Sequence, residues 1–79
     1  MNEELKQRVF NIIKEKTGIN LSDIDPDKNI NEQITFDSIH LVGIMTEIEK
    51  VLEIQFPISV LEVTTVNEFL AIIDHELKK

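Results

Sequence analysis

The chain has 79 residues, 42% of them hydrophobic and 29% charged, and its formal net charge at pH 7 is −7. A chain of this length and apolar content can bury one modest hydrophobic core, so we expect residues 1–79 to form a single folded domain rather than a disordered segment. It contains no cysteine, which excludes disulfides, thiolate metal sites and cysteine nucleophiles.

No apolar run in the sequence is long enough to cross a bilayer, so we expect no membrane insertion. The first ten residues, MNEELKQRVF, carry acids early and have no apolar stretch after the bases. This pattern is not typical of a signal peptide, and we therefore expect a cytoplasmic location.

Negative charge is concentrated just before the middle of the chain, where residues 23–37 carry five acids and one base. A surface of this sign repels nucleic acid and attracts basic protein surfaces. Taken alone, the charge favours the simpler interpretation of a solvated surface that keeps the chain in solution.

Two predicted helices lie at the ends of the chain. In the first, EELKQRVFNIIKEKTG, apolar residues recur at helical spacing, acids occupy the first turn and Gly18 is the expected stop. Before the last helix, Thr65 and Glu68 form a capping box, in which an N-cap hydroxyl is followed three residues later by a glutamate. An apolar stripe then marks the buried face of this helix: Val66, Phe69, Leu70, Ile73 and Leu77.

The second predicted helix begins near Ser38 and ends at about Glu53. At about 100° per residue, one broad arc of apolar side chains should face the core: Leu41, Ile44, Met45, Ile48, Val51 and Leu52. A second arc should face away from the core: Ser38, Val42, Thr46, Glu49 and Glu53, with Ile39 at its edge. We expect Met45 to fill the core; the alternative is that its adaptable side chain lines a cavity.

Residues 17–37 lack a regular pattern, and irregular connections of this length are uncommon in compact domains. Apolar residues are nevertheless spaced through this one: Ile19, Leu21, Ile24, Ile30, Ile34 and Phe36. We predict an ordered loop that these side chains hold against the helices, with a helical turn after Ser22. Between Pro57 and Thr64 there is room for a short helix, with Ser59 as its candidate cap.

No segment alternates polar and apolar residues for long enough to predict a strand. The predicted fold is therefore all-α. It is a small four-helix bundle with three longer helices, one short helix before the last, and a long ordered loop between helices one and two.

Two apparent sites fail on inspection. The stretch DPDKNINEQITF places oxygen-bearing side chains at alternate positions, as a calcium loop does, but Ile30 and Phe36 stand where such a loop needs glycine and a bidentate glutamate. We expect these acids to form turns and predict no metal site.

Ser38 and His40 are two residues apart on a helix, so their side chains diverge and do not form a nucleophile and base. We therefore predict that the chain is not an enzyme.

Ser38 stands where a polar segment gives way to the apolar run of helix two. The unpaired N–H groups and partial positive charge of a helix N-terminus would stabilise a phosphate attached to its hydroxyl. Asp37 could cap the helix or help to hold a metal ion during such a modification. On these residues alone, plain capping by Asp37 or Ser38 is the simpler interpretation, and modification of Ser38 is the alternative.

The whole chain resembles acyl carrier proteins and the related peptidyl carrier domains. The resemblance lies in its size and acidity, its long first loop, the Asp37-Ser38-Ile39 step that opens helix two, and the stretch TTVNEFLAII before the C-terminus. It implies that Ser38 receives phosphopantetheine from coenzyme A, through a separate, magnesium-dependent phosphopantetheinyl transferase. The thiol of this arm would carry an acyl or aminoacyl group as a thioester.

The resemblance also implies that helix two docks on acyl-loading and acyl-processing enzymes. Ile39, Val42 and Thr46 would form the apolar centre of the docking face, and Glu49 and Glu53 its charged rim. We expect the carrier to be a monomer. The alternative is an unmodified helical interaction module that uses the same face.

His40 and Gly43 stand where carriers of fatty acid synthesis usually have acids. This departure leaves several pathways open for the carried group: fatty acid, specialised lipid, polyketide and nonribosomal peptide biosynthesis.

Overall fold

The computed structural model of the chain describes residues 2–34 and 38–79, and for residues 38–40 it describes the backbone alone. Its α-helices are α1 (Glu3–Thr17), α2 (Ile30–Gln33), α3 (Ser38–Leu52) and α4 (Val66–Leu77). Two short 3₁₀ helices, Leu21–Asp23 and Ile58–Glu62, lie in the connections. The described residues contain no β-strand, so the all-α fold and its order of helices are confirmed. No helix among them is both long and apolar enough to cross a membrane.

Both ends of α1 are capped. The side chain of Asn2 accepts a hydrogen bond from the N–H of Leu5 at 2.9 Å, which satisfies one donor of the first turn. Gly18 follows the helix with a φ of 77°, and its N–H donates to the carbonyl of Lys14 at 2.7 Å. Because this left-handed conformation is strained for residues with a side chain, glycine is the residue that ends α1 here, as predicted.

The capping box of α4 is confirmed in its main contact. The hydroxyl of Thr65 accepts a hydrogen bond from the N–H of Glu68 at 3.1 Å. The Glu68 carboxylate in turn accepts from the hydroxyls of Thr65 and Thr64, at 3.1 Å each. Glutamate therefore holds both threonine side chains at the start of the helix.

The core lies where α1 packs against α3 and both meet α4. Its buried apolar residues come from α1, α3, α4 and both 3₁₀ segments: Val9, Phe10, Ile13, Leu21, Ile24, Ile44, Ile48, Val60, Val66, Phe69 and Ile73. Phe56 adds a stacked ring contact to Phe69, with the ring centroids 5.5 Å apart. The apolar stripe of α4 is confirmed, with Leu70 and Leu77 half-buried against this core.

The core face of α3 is confirmed except at one residue. Ile44 and Ile48 are 1% and 0% exposed, and Leu41, Met45 and Leu52 are partly buried. Val51, predicted to face the core, is instead exposed. It lies about 60° around the helix from Ile48, at the edge of the predicted arc, and the last turn of α3 presents that edge to solvent.

The described part of the connection between α1 and α3, residues 18–34, is anchored as predicted. Leu21 and Ile24 are buried, while Ile19, Ile30 and Ile34 pack against the core from partly exposed positions. Phe36, the sixth predicted anchor, lies outside the described residues.

Short elements in the connections differ from prediction. The helical turn expected after Ser22 is the 3₁₀ helix Leu21–Asp23, which begins earlier because Asn20 caps it by accepting from the N–H of Ser22 at 3.1 Å. Helix α2 was not predicted at all. Ser59 is not a cap: it lies inside the 3₁₀ helix Ile58–Glu62, whose N-cap is Pro57 and has no side-chain hydrogen bond.

The amide of Gln33 fastens the loop before α2. Its Oε1 accepts from the N–H of Asp25 at 2.7 Å, and its Nε2 donates to the carbonyl of Asp25 at 3.0 Å. The carbonyls of Lys28 and Asn29 lie 3.4 Å from the same nitrogen. One side chain thus satisfies several backbone groups that regular structure leaves unpaired.

Hydrogen bonds also join this loop to the start of α4. The N–H of Ile30 donates to the carbonyl of Thr64 at 2.7 Å, and the N–H of Asn67 donates to the carbonyl of Pro26 at 3.1 Å. The side-chain amide of Asn67 donates to Asp27. We call this set of contacts the loop–α4 seam.

Replacing Gln33 with alanine should lower the free energy of unfolding by about 1–2 kcal/mol, since its two shorter hydrogen bonds are each worth about 1 kcal/mol net. Urea denaturation followed by helical circular dichroism would measure the change. Gln7→Ala is the matched control, because Gln7 is exposed on α1. Equal stability of the two variants would show that the Gln33 contacts contribute nothing.

Candidate functional site

The candidate site is the N-terminal end of α3, which begins at Ser38 and continues for 15 residues. Its first turn contains no acidic residue, so nothing in it opposes the partial positive charge of the helix end. The side chains of Ser38 and Ile39, and the whole of Asp37, lie outside the description, so their predicted roles stay predictions. The backbone does place Ser38 at a helix N-terminus, as the sequence indicated.

The outer face of α3 is placed as predicted at two residues. Val42 is 58% exposed, which is high for a large apolar side chain, and Thr46 is exposed one turn further along. The hydroxyl of Thr46 donates to the carbonyl of Val42 at 2.9 Å. That donor is therefore used inside the helix, and the two side chains form a mainly apolar surface.

The two predicted rim acids lie in different environments. Glu49 is half-buried, and its Oε2 accepts from the N–H of Phe56 at 2.9 Å. Glu53 is exposed and has a positive φ of 56° at the end of α3. Glu49 thus holds the turn that follows the helix, while Glu53 faces solvent.

Glu47 was not predicted as a site residue. It is half-buried, and its carboxylate makes no hydrogen bond or ion pair with any described residue. Its position in the sequence indicates a place near the site, because Glu47 lies one helical turn after Gly43, beside the face of α3 that is predicted to point away from the core. It is an acid in the second half of α3 without an intramolecular partner among the described residues.

A partly open cavity of about 240 Å³ lies beside α3, and one of its lining residues, Leu61, is 64% exposed. Its lining is mainly apolar: Ile13, Leu21, Ile30, Asn31, Leu41, Ile44, Val60, Leu61, Val63, Thr64, Val66 and Phe69. Leu41 connects it to the start of α3, because it lies three residues, or about 4.5 Å of helix rise, after Ser38. Met45 does not line the cavity and packs against the core, as expected.

The acidic loop behaves as a set of turns. Asp25 accepts from the N–H of Asp27 at 3.0 Å, and Asn29 accepts from the N–H of Asn31 at 2.8 Å. These are the turn contacts typical of Asp and Asn, in which a side-chain oxygen bonds the backbone two residues on. Within the described ranges, no three acidic or histidine side chains are arranged to hold a metal ion.

Comparison with known proteins agrees with this geometry. Residues 7–73 match the family described as phosphopantetheine attachment site. The chain is 32% identical over 54 residues to an acyl carrier protein of Chlorobium phaeovibrioides, which covers 68% of this chain and 69% of that protein. It is 28% identical over 76 residues to an acyl carrier protein of Rubrobacter xylanophilus, covering 94% of each. No solved structure shows significant similarity.

The chain belongs to the phosphopantetheine-binding carrier family, which includes the acyl carrier proteins. Carriers of this kind hold phosphopantetheine covalently and are not themselves enzymes. They work with a phosphopantetheinyl transferase and with acyl-processing enzymes. The family match supports the carrier hypothesis over that of an unmodified interaction module.

The described residues fit this prosthetic group in two ways. The helix N-terminus at Ser38 suits a phosphodiester, because the N–H groups and the dipole of a helix N-terminus favour an anion and the first turn of α3 contains no acid. The apolar cavity beside Leu41 suits the far end of a loaded arm.

The environments of the two rim acids lead to a prediction. Glu49→Ala should lower the free energy of unfolding by about 1–2 kcal/mol, because the N–H of Phe56 loses a charged acceptor. Glu53→Ala removes the same charge from an exposed position and should change the free energy of unfolding by less than about 0.5 kcal/mol. Thermal melts of both variants test this, and comparable losses in the two would contradict the assignment.

Proposed function

We propose that the chain carries acyl groups as thioesters on a phosphopantetheine arm attached to Ser38. The observation that carries this proposal is the start of α3 at Ser38, inside the matched residues 7–73. When bound, the arm supplies the thiol that this cysteine-free chain lacks. The N-terminal N–H groups of α3 would stabilise its phosphodiester, and Asp37 would lie next to the attachment point and help to hold magnesium during transfer.

The cavity favours acyl over aminoacyl cargo. Its lining is mainly apolar, and its volume of about 240 Å³ is that of about eight groups the size of a water molecule or a methylene. A short or medium aliphatic chain would fill this space, whereas the ammonium group of an aminoacyl thioester would lose its hydration there. Fatty acid, specialised lipid and polyketide pathways all use such chains.

The outer face of α3 would present the loaded arm to partner enzymes. Ile39, Val42 and Thr46 form its proposed apolar centre, and Glu53 is an exposed acid at its far end. Because Glu49 accepts a hydrogen bond from Phe56, it contributes less to this rim than its sequence position suggests. We infer that the carrier works as a cytoplasmic monomer, since a net charge of −7 disfavours pairing with a second copy.

Incubation with coenzyme A, magnesium and a broad-range phosphopantetheinyl transferase should raise the intact mass by one phosphopantetheine. Ser38→Ala should abolish the gain, and Ser22→Ala, which changes an exposed serine in the loop, should not. Mass spectrometry provides the readout. An unmodified wild-type chain, or a modified Ser38→Ala variant, would refute attachment at Ser38.

Acyl loading should stabilise the fold as the chain lengthens, until the cavity is full. Thermal melts of the protein loaded with acyl groups of two to sixteen carbons should show the melting temperature rising to about eight carbons and then levelling. Val63→Phe, which fills the cavity from its lining, should remove this dependence, and Val51→Phe, on the exposed face of α3, should keep it. If the melting temperature of the wild type does not depend on the length of the acyl chain, the cavity is excluded as the cargo site.

A further inference from the structure

Gly43 lies inside α3, where glycine is the least favourable residue apart from proline. Relative to alanine it lowers the folding equilibrium constant of a helical protein about fivefold, because an unfolded glycine has more conformational freedom to lose. Such a residue is normally explained by a backbone angle or by crowding.

Neither explanation applies to Gly43. Its φ is not in the left-handed region, in contrast to that of Gly18. Among the described residues, and apart from its two chain neighbours and the local helix backbone, a methyl group built on its Cα meets no atom within 4 Å, so alanine would displace none of these neighbours. Gly43 is also exposed. Nothing within the described fold accounts for a missing side chain here.

The neighbours of Gly43 indicate what could use the space. Val42 beside it is 58% exposed, and Thr46 lies one turn further on with its hydroxyl bonded back to the helix. Glu47, four residues on and on the same side of α3, has no partner among the described residues. Bare backbone is therefore flanked by an apolar surface and by an acid that no described residue pairs with.

We propose that Gly43 is a contact point at which a partner enzyme packs an apolar side chain directly against the backbone of α3, with a lysine or arginine of that enzyme reaching Glu47. The partner is a protein with a protruding aliphatic or aromatic residue beside a basic group. This inference rests on the proposed function, because the partners are the enzymes that act on the arm at Ser38. Gly43 lies about 7.5 Å along the helix axis from Ser38, within the footprint of any enzyme that reaches that residue.

A second copy of the chain fits this surface poorly. Each copy carries a net charge of −7, and the surface includes the acid Glu47. Self-association would therefore bring like charges together. Sedimentation of the wild type should show a monomer, and a dimer abolished by Gly43→Ala would replace the proposed partner with a second copy and overturn the inference.

The test uses the full chain and a broad-range phosphopantetheinyl transferase as the docking partner. Gly43→Ala should raise the melting temperature by about 4–8 °C, through helix propensity. It should also raise the KM for the carrier at least about fivefold at unchanged kcat, and Gly43→Leu should raise it further. Asn11→Ala is the matched control: it improves helix propensity at an exposed position of α1 and should stabilise without changing KM.

The acid is tested by charge reversal. Glu47→Lys should raise KM at low salt, with the difference from wild type shrinking as salt screens the charge. Glu15→Lys makes the same charge change on exposed α1 and should have a much smaller effect. If Glu15→Lys matches Glu47→Lys, net charge alone governs the encounter and the assigned contact is wrong.

The outcomes separate this inference from the proposed function. A wild-type chain that is never modified refutes the carrier function itself. A modified wild type with an unchanged KM in Gly43→Ala leaves the carrier function standing and overturns the role of Gly43. A lower melting temperature in Gly43→Ala would also overturn it, by showing that the fold itself needs the glycine.

Discussion

The burial of Ile44 and Ile48 against α1 fixes the rotation of α3, and the candidate site depends on that rotation. Both side chains are almost completely inaccessible to water, and burying each is worth about 2–3 kcal/mol. A rotation by one residue would turn α3 by about 100° and expose them. With Ile44 and Ile48 inward, geometry sends Val42 and Thr46 outward. The exposed face that we propose for docking is thus a consequence of the core.

The rotation of α3 was predictable from the sequence because the helical spacing of apolar residues recurs over several turns of a long amphipathic helix. Caps made the ends of α1 and α4 predictable as well, since Gly18 and Thr65 each act through contacts within one turn. Helix α2 gave no such signal, because its four residues are too few for periodicity to show. Ser59 was wrongly predicted as a cap because the 3₁₀ helix begins one residue after Pro57, whose ring fixes its own φ, and Ser59 therefore lies inside the helix.

The features of the site that the sequence did not predict are contacts between residues that are not related by helical spacing. Glu49 bonds the backbone of Phe56, seven residues on and beyond the end of α3. The same holds for the loop–α4 seam, in which Asn67 reaches a residue 40 positions earlier. Apolar residues in the loop predicted that it is anchored, but not which backbone groups pair. The seam also forms part of the cavity wall, because Ile30 and Thr64 both line it.

Several features of the fold lower its stability, and they lie close to the proposed path of the arm. Ile58 and Leu61 are 86% and 64% exposed on one short 3₁₀ helix, and Leu61 also lines the cavity. Residues three apart in a 3₁₀ helix lie above one another, so these two form a continuous apolar ridge. An open apolar cavity likewise forfeits packing contacts that a filled core would have.

In a domain this small, whose net stability is a few kcal/mol, features of this kind are significant. A ligand that binds only the native state restores the stability that each feature costs. An acyl chain in the cavity would act in this way, and so would a partner protein that covers the Ile58–Leu61 ridge and Gly43. A carrier needs such binding to be weak and reversible, because it must release one enzyme before meeting the next. Small, incompletely packed apolar surfaces provide that, whereas a large complementary interface would hold the first partner too long. The exposed ridge of Ile58 and Leu61 and the open cavity therefore suit a chain that serves several enzymes in turn.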